Sequence, residues 1–128
     1  MIVLDASVLI AHLDRGSVHH DRAKMLLEDS IGHELAASPV TLAEVLAGPA
    51  RAGMLGEATT ALHILGVGAV QLMDDAPVRL AKLRADTRLK TPDCCVLLAA
   101  EQLFASLATF DKQLASAARE QRVTVLPD

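Results

Sequence analysis

The sequence predicts a single α/β domain in which a central parallel sheet of about five strands is covered by helices on both faces. Two observations indicate this architecture. Short apolar runs alternate with helical patterns along the whole chain, which is typical of parallel strands joined by crossover helices. The first run, Ile2 to Leu4, is apolar at every position, as in a strand that is buried on both faces. Because 128 residues is the length of one domain, we expect one unit over residues 1–128.

In the first half of the chain, the predicted helices have recognisable starts and ends. Asp5 or Ser7 caps the first helix, and Ser38-Pro39 opens the third with a serine cap and proline at the first position. We expect Gly48-Pro49 to break that helix and Gly66 to end the next one. The elements predicted here are strands at Ile2 to Leu4 and Leu35 to Ser38, and helices at Ala6 to Leu13, His20 to Ser30, Pro39 to about Gly48 and Leu55 to Leu65.

The second half of the chain continues the alternation of strands and helices. Asp74-Asp75 with Pro77 starts one helix, and Thr91-Pro92-Asp93 repeats the cap-proline signature before a helix that is apolar nearly all round. The elements predicted here are strands at Val67 to Met73, Leu107 to Thr109 and Val123 to Leu126, and helices at Asp74 to about Asp86, Thr91 to Phe104 and Lys112 to Gln121.

The composition excludes several classes of protein. No apolar stretch reaches the roughly 18 residues of a membrane helix, and the adjacent Cys94 and Cys95 cannot form an ordinary disulfide, so we expect a reduced, cytoplasmic protein. The net charge of −4 argues against nucleic acid as a partner unless several acids hold cations. The apolar fraction of 52% is high for a small domain, so we expect a large interface with a second copy or another protein.

Four acids lie at predicted strand ends or within predicted helices. Each has an ordinary structural explanation. Asp5 and Asp111 follow strands and could cap the next helix, Asp93 suits the dipole of a helix first turn, and Glu44 could be a surface acid. Taken together, they form a carboxylate set of the kind that suits Mg²⁺ or Mn²⁺, and such ions activate water and stabilise charge on a phosphoryl group.

The four acids lie within four short motifs that follow one another along nearly the whole chain. The motifs are IVLDAS at 2–7, SPVTLAEV at 38–45, TPD at 91–93 and TFD at 109–111. In this order and spacing they resemble the motifs of the PIN-domain family, and in particular those of VapC-type toxin ribonucleases of type II toxin–antitoxin systems. The resemblance implies a metal-dependent endoribonuclease that hydrolyses RNA phosphodiester bonds with metal-activated water, leaving 5′ phosphate and 3′ hydroxyl ends. It also implies a homodimer and a cognate VapB-type antitoxin that inhibits it, with a DNA operator contacted only through the antitoxin.

Carried over residue by residue, the resemblance implies that Asp5, Glu44 and Asp93 hold a Mg²⁺ or Mn²⁺ ion. Asp111 would complete this catalytic cluster or position the attacking water. Many relatives carry a further acid shortly after the position of Asp111, where this chain has Lys112-Gln113. One metal ion is therefore expected, and the sequence leaves a second one open.

Two hydroxyls and several cations accompany the acids. Ser7 and Thr109 would orient carboxylates or water, although capping of a local turn explains them equally well. Basic residues beside the acids could bind RNA phosphates at the rim of the site, although a solvated surface charge explains each of them. These candidates are Arg88, Lys90 and Lys112, followed by Arg15, Arg22 and Lys24.

Two other functions fit the same motifs. A housekeeping RNA-processing PIN nuclease would use the same acids, whereas a catalytically silent PIN-like binding module would not need them. The presence of all four acids argues against the silent module. A small chain with excess apolar surface favours the toxin, because an antitoxin needs a surface on which to dock.

Overall fold

A parallel five-stranded sheet forms the centre of the computed structural model, which describes residues 1–128. Seven helices connect the strands. The strands are β1 (Ile2–Leu4), β2 (Leu35–Ala37), β3 (Val67–Ala69), β4 (Ser106–Ala108) and β5 (Val125–Leu126). The helices are α1 (Ala6–Leu13), α2 (His20–Asp29), α3 (Pro39–Arg51), α4 (Leu55–Leu65), α5 (Ala76–Thr87), α6 (Thr91–Leu103) and α7 (Lys112–Glu120). This arrangement confirms the predicted fold class.

Both faces of the sheet are buried because side chains of β1 alternate between two hydrophobic clusters. Ile2 and Leu4 pack with residues of α1 to α4, among them Leu9. Val3 points to the other face, where it packs with residues of α5 to α7, among them Leu97. A strand buried on both sides must be apolar at every position, which is why the run at the start of the sequence is continuous.

The order of the strands, β3-β2-β1-β4-β5, reverses direction at β1. From β1 the chain moves outward through β2 to β3, and then crosses the sheet to β4 on the other side. Leu4 pairs with Ala108 at the carboxyl end of this central pair of strands. Open α/β sheets bind ligands outside the carboxyl ends of the strands where the order reverses. The residues after Leu4 and Ala108 are therefore candidates for a ligand site.

Helix α6 is buried nearly all round, as its apolar sequence predicts. All seven residues from Cys94 to Ala100 are buried, and the helix contacts α5, α3, β1 and β4. Its two cysteines are free thiols inside the core. None of the seven helices combines the length and the apolar composition that crossing a membrane requires.

The predicted break at Gly48-Pro49 is wrong, because α3 continues through Pro49 to Arg51. Proline inside a helix removes one backbone hydrogen bond and crowds the preceding turn. Here that loss falls in the last turn, and the amides of Ala52 and Met54 still donate to the carbonyls of Gly48 and Pro49 at 3.1 and 2.8 Å. Gly66 ends α4 as predicted, in the left-handed conformation with φ +83°.

Several further boundaries differ from the prediction. Helix α5 starts at Ala76 instead of Asp74, β4 spans Ser106–Ala108 instead of Leu107 to Thr109, and β5 starts at Val125 instead of Val123. Strand β3 ends at Ala69 instead of Met73, because its only neighbour, β2, stops at Ala37 where Ser38 caps α3. Thr91 does not cap α6. The helix already includes Thr91, whose hydroxyl accepts a hydrogen bond from Nη1 of Arg84 at 3.1 Å.

Candidate active site

The four acids singled out in the sequence all lie at the carboxyl edge of the sheet or on helices that border it. Asp5 directly follows β1 and is the N-cap of α1. Asp111 follows β4 and is the N-cap of α7. Asp93 lies in the first turn of α6 and Glu44 lies within α3, and these two helices contact each other.

Asp5 is fixed by two hydroxyl groups, one from the first turn of α1 and one from the residue that follows β4. Its side chain is only 6% exposed. The Ser7 hydroxyl donates to Oδ2 at 2.7 Å and the Thr109 hydroxyl donates to the same oxygen at 2.8 Å. Ser7 and Thr109 in turn accept hydrogen bonds from the amides of Phe110 and Asp111, both at 3.0 Å. The two hydroxyls therefore tie Asp5 to the loop after β4, which is the contact that an orienting role requires.

The other carboxylate oxygen of Asp5 is open to the site. Oδ1 accepts no hydrogen bond from the protein, whereas no buried side-chain nitrogen or oxygen lacks a partner. It follows that solvent reaches Oδ1. One oxygen of Asp5 thus orients the side chain, and the other is available to a ligand.

Asp111 also divides its two oxygens. Oδ1 accepts hydrogen bonds from the amides of Gln113 and Leu114 at 2.8 and 3.0 Å, which caps α7. No protein group donates to Oδ2. The ordinary explanation of Asp5 and Asp111 as helix caps is therefore correct for one oxygen of each side chain, and the second oxygen of each remains available.

The pKa of Asp93 is affected by the other three acids. The pKa of Asp93 is raised from 3.8 to about 6, mainly by burial and then by the negative charges of Asp5, Asp111 and Glu44 in that order, while Lys90 lowers it. Carboxylates that face one another favour protonation unless a cation lies between them. Asp5, Asp111 and Glu44 are therefore near enough to Asp93 to affect its pKa.

Glu44 lies at the outer side of this cluster. It is exposed, and its pKa is raised by partial burial and by the negative charge of Asp5. Its neighbours include Ile10, Leu13 and Val45, which line a groove of about 420 Å³ between α1 and α3. Glu44 therefore stands where an apolar groove meets the acid cluster.

The model of one protein family, described as the PIN domain, matches residues 2–120. The chain belongs to the PIN-domain family. No curated protein matches the sequence significantly.

Solved structures share the fold of this PIN domain. A chain of a toxin–antitoxin complex from Klebsiella pneumoniae is 27% identical, with a TM-score of 0.75 and coverage of 90% of this chain and 91% of that one. VapC20 from Mycobacterium tuberculosis, a toxin that cleaves the sarcin–ricin loop, is 20% identical, with a TM-score of 0.73 and coverage of 91% and 95%. FitAcB from Neisseria gonorrhoeae is 21% identical, with a TM-score of 0.73 and coverage of 98% and 96%.

The acids of this PIN domain have the chemistry of a magnesium or manganese site, although they do not form a compact metal cluster. No three His, Cys, Asp or Glu side chains lie close enough together to hold an ion as they stand. The ligand atoms nevertheless fit, because they are all carboxylate oxygens and Oδ1 of Asp5 and Oδ2 of Asp111 are free of protein hydrogen bonds. Asp93 and Glu44 would supply the remaining carboxylate oxygens.

The three cations predicted to contact RNA lie at different distances from the acids. Lys90 is close enough to Asp93 to lower its pKa. Lys112 lines a small groove together with Asp111. Arg88 is exposed at the C-cap of α5, in a left-handed conformation with φ +62°, and no carboxylate pairs with it.

One contact near the site joins residues from distant parts of the sequence. Arg22 of α2 lies over the ring of Phe110, with its Cζ atom 4.5 Å from the ring centroid. The two residues are far apart in the sequence, so local pattern carries no signal for this pair. The only available signal is that Phe110 lies within the TFD motif and is one of two aromatic residues in the chain.

Proposed function

We propose that this PIN domain, over residues 1–128, is the toxin of a type II toxin–antitoxin module and acts as a Mg²⁺- or Mn²⁺-dependent endoribonuclease. The observation that carries this proposal is the hydroxyl-fixed Asp5 near an Asp93 whose pKa is raised by burial and by three neighbouring carboxylates, Asp5 among them. Membership of the PIN-domain family and the 27% identity to a chain of a toxin–antitoxin complex support it.

In this proposal Asp5, Glu44 and Asp93 bind the metal ion. The ion would activate water and stabilise charge on the phosphoryl group. Oδ1 of Asp111 holds α7, so its free Oδ2 would accept a hydrogen bond from the attacking water and orient it. Ser7 and Thr109 keep Asp5 in one rotamer throughout. The products would carry 5′ phosphate and 3′ hydroxyl ends.

The groove between α1 and α3 supports the proposed inhibition by an antitoxin. Its hydrophobic residues, Ile10, Leu13 and Val45, lie beside the charged Asp14, Glu44 and Arg51. An apolar segment of a VapB-type antitoxin that fills this groove would cover Glu44 and block access of RNA. In this proposal a DNA operator is contacted only through that antitoxin.

The proposed activity is tested by incubating total RNA with the purified protein in Mg²⁺, Mn²⁺ or EDTA. We expect cleavage with either ion and none in EDTA. Asp5→Asn should reduce the rate by about 100-fold or more, because even residues that only orient metal ligands contribute about 10–100-fold. Asp75→Asn is the matched control, since Asp75 is exposed and its side chain makes no capping hydrogen bond.

Several results would contradict the proposal. Equal cleavage by wild type and Asp5→Asn would remove the acid cluster from the reaction. Products with 2′,3′-cyclic phosphate ends would indicate attack by the ribose hydroxyl. Cleavage without growth arrest on induced expression would favour the housekeeping nuclease over the toxin.

A further inference from the structure

A small groove leads away from the acid cluster on the side of Asp111, and we call it the Asp111-side groove. Its volume is about 230 Å³. Thr109 and Asp111 form the end next to the cluster, and Arg22, Phe110, Lys112 and Arg119 line the rest together with Ala115, Val125, Pro127 and Asp128. The groove is smaller than the roughly 300–1,000 Å³ of small-molecule pockets, so it is too small to enclose a whole ligand of that kind.

Three cations of the Asp111-side groove are not neutralised by ion pairs. Arg22, Lys112 and Arg119 have no carboxylate oxygen within 4.0 Å, because the only ion pair of this length in the protein joins Arg79 to Glu101. Asp111 and Asp128 also line the groove, but they do not pair with these cations. An anionic chain could therefore bind these cations without breaking an ion pair within the protein.

Arg22 is held in a defined orientation by two aromatic neighbours. Its guanidinium lies 4.5 Å from the centroid of the Phe110 ring, and Nη1 lies 3.4 Å from Nδ1 of His19. The His19 and Phe110 rings are themselves in contact, with centroids 5.7 Å apart. Stacking leaves the edge of a guanidinium free to bind phosphate, and only one of its five N–H donors is used here.

The position of Arg22 is coupled to that of Asp5 through Phe110. The Phe110 amide donates to the Ser7 hydroxyl at 3.0 Å, and that hydroxyl donates to Asp5 at 2.7 Å. The ring that supports Arg22 thus belongs to a residue that is tied by two hydrogen bonds to the central acid. A phosphate held by Arg22 would be fixed relative to the phosphate under attack.

We propose that Arg22, stacked on Phe110, binds a phosphate of the RNA strand in the Asp111-side groove, with Lys112 and Arg119 binding the same strand. This assignment rests on the proposed function for its substrate class, and it places the RNA backbone on the Asp111 side of the cluster. Arg22 is a binding residue that does not touch the reacting atoms.

The test measures RNA binding in an Asp5→Asn background, so that the strand stays intact. The probe is a fluorescein-labelled single-stranded RNA of mixed sequence, titrated at several salt concentrations, with single-stranded DNA of the same sequence as a second probe. We expect Arg22→Ala to weaken RNA binding about 5- to 10-fold and to reduce the slope of log K against log salt by about 0.7, the value for one lost phosphate contact on a single strand. Arg22→Lys should recover the slope but not the full affinity, because lysine lacks the planar fork.

Lys24→Ala is the matched control, since Lys24 is an exposed cation on the same helix and does not line the groove. It removes the same charge and should leave the salt slope unchanged. Equal effects of Arg22→Ala and Lys24→Ala, or a loss confined to the DNA probe, would overturn the proposal. A lowered melting temperature with an unchanged slope would also overturn it, because that result indicates a purely structural role.

Failure of the proposed function gives a different pattern. If wild type does not cleave RNA in Mg²⁺ or Mn²⁺ while Arg22→Ala still shows weaker binding and a reduced slope, the RNA-binding groove stands and the nuclease does not. If wild type cleaves RNA and Arg22→Ala binds it normally, only the assignment of Arg22 fails.

Discussion

At the scale of a single residue, the ionisation of Asp93 affects both the proposed chemistry and the stability of the fold. Its pKa is raised from 3.8 to about 6 by burial and by three other acids. The folded protein therefore binds the Asp93 proton more tightly than the unfolded chain does. The stabilising contribution of this proton is fully present below about pH 4 and is lost as the pH rises through 6.

We predict that Asp93→Asn makes the metal-free protein more stable than wild type at pH 7.5, since it removes a carboxylate that faces three others. Part of Asp93 is exposed to solvent, which screens the effect, so we expect about 1–2 kcal/mol. The difference should shrink as the pH falls from 6 to 4. Urea unfolding in EDTA at both pH values measures it. Identical stability of wild type and Asp93→Asn at pH 7.5 would show that the carboxylates do not repel one another.

Residues near the site differ in how far the sequence could predict them. The convergence of Asp5, Glu44, Asp93 and Asp111 was predictable, because each lies in a motif and three lie at the start of a helix. One oxygen of Asp5 accepts hydrogen bonds from both Ser7 and Thr109 because β1 pairs with β4. No local sequence pattern specifies this pairing, so these hydrogen bonds could not be predicted.

Helix α7 is the element whose start coincides with a candidate catalytic acid. Asp111 caps it through Oδ1, which accepts from two backbone amides. Asparagine can make the same hydrogen bonds, whereas alanine cannot. The two substitutions therefore separate the structural contribution of this side chain from its proposed role in orienting water.

We predict that Asp111→Ala is about 1 kcal/mol less stable than Asp111→Asn, the usual contribution of a helix cap. Both variants should lose RNA cleavage, because neither carries the carboxylate. Urea denaturation compares their stability, and the total RNA assay compares their rates. Full cleavage by Asp111→Asn would restrict Asp111 to capping.

Errors in predicting the elements share one physical origin. The strand after Gly66 was expected to reach Met73, and its length is set by the neighbouring β2 and not by its own residues. Thr91 has the sequence of a cap, yet its hydroxyl binds Arg84. Pro49 breaks a helix in general, but here it lies in the last turn. In each case a tertiary contact or a position within the element overrides the local preference.

The whole molecule leaves many large apolar side chains in solvent. Phe104 is 98% exposed, Val18 is 90% exposed, and Ile31 and Ile64 are each 80% exposed. These side chains lie on different parts of the chain: Val18 between α1 and α2, Ile31 after α2, Ile64 in α4 and Phe104 at the end of α6. The proposed homodimer and the proposed antitoxin would both cover part of this apolar surface.

We predict that the purified protein has a solution mass of twice 13.5 kDa. Light scattering coupled to size-exclusion chromatography measures the mass over a range of concentrations. When an antitoxin is co-expressed, the mass should be that of a larger complex. A monomer that persists at high concentration would leave the exposed apolar residues without a function.

The central place of β1 in the sheet has a consequence for how the protein is made. Strand β1 is synthesised first, and its neighbour β4 is added more than 100 residues later. Until then Asp5 lacks Thr109, and Asp111 does not yet exist. At about 5–20 residues per second, most of the synthesis time passes before the acid cluster can form. Under the proposed function, a nascent chain, or one that terminates early, would lack the complete acid cluster, and the proposed toxicity would begin only after the polypeptide is nearly complete.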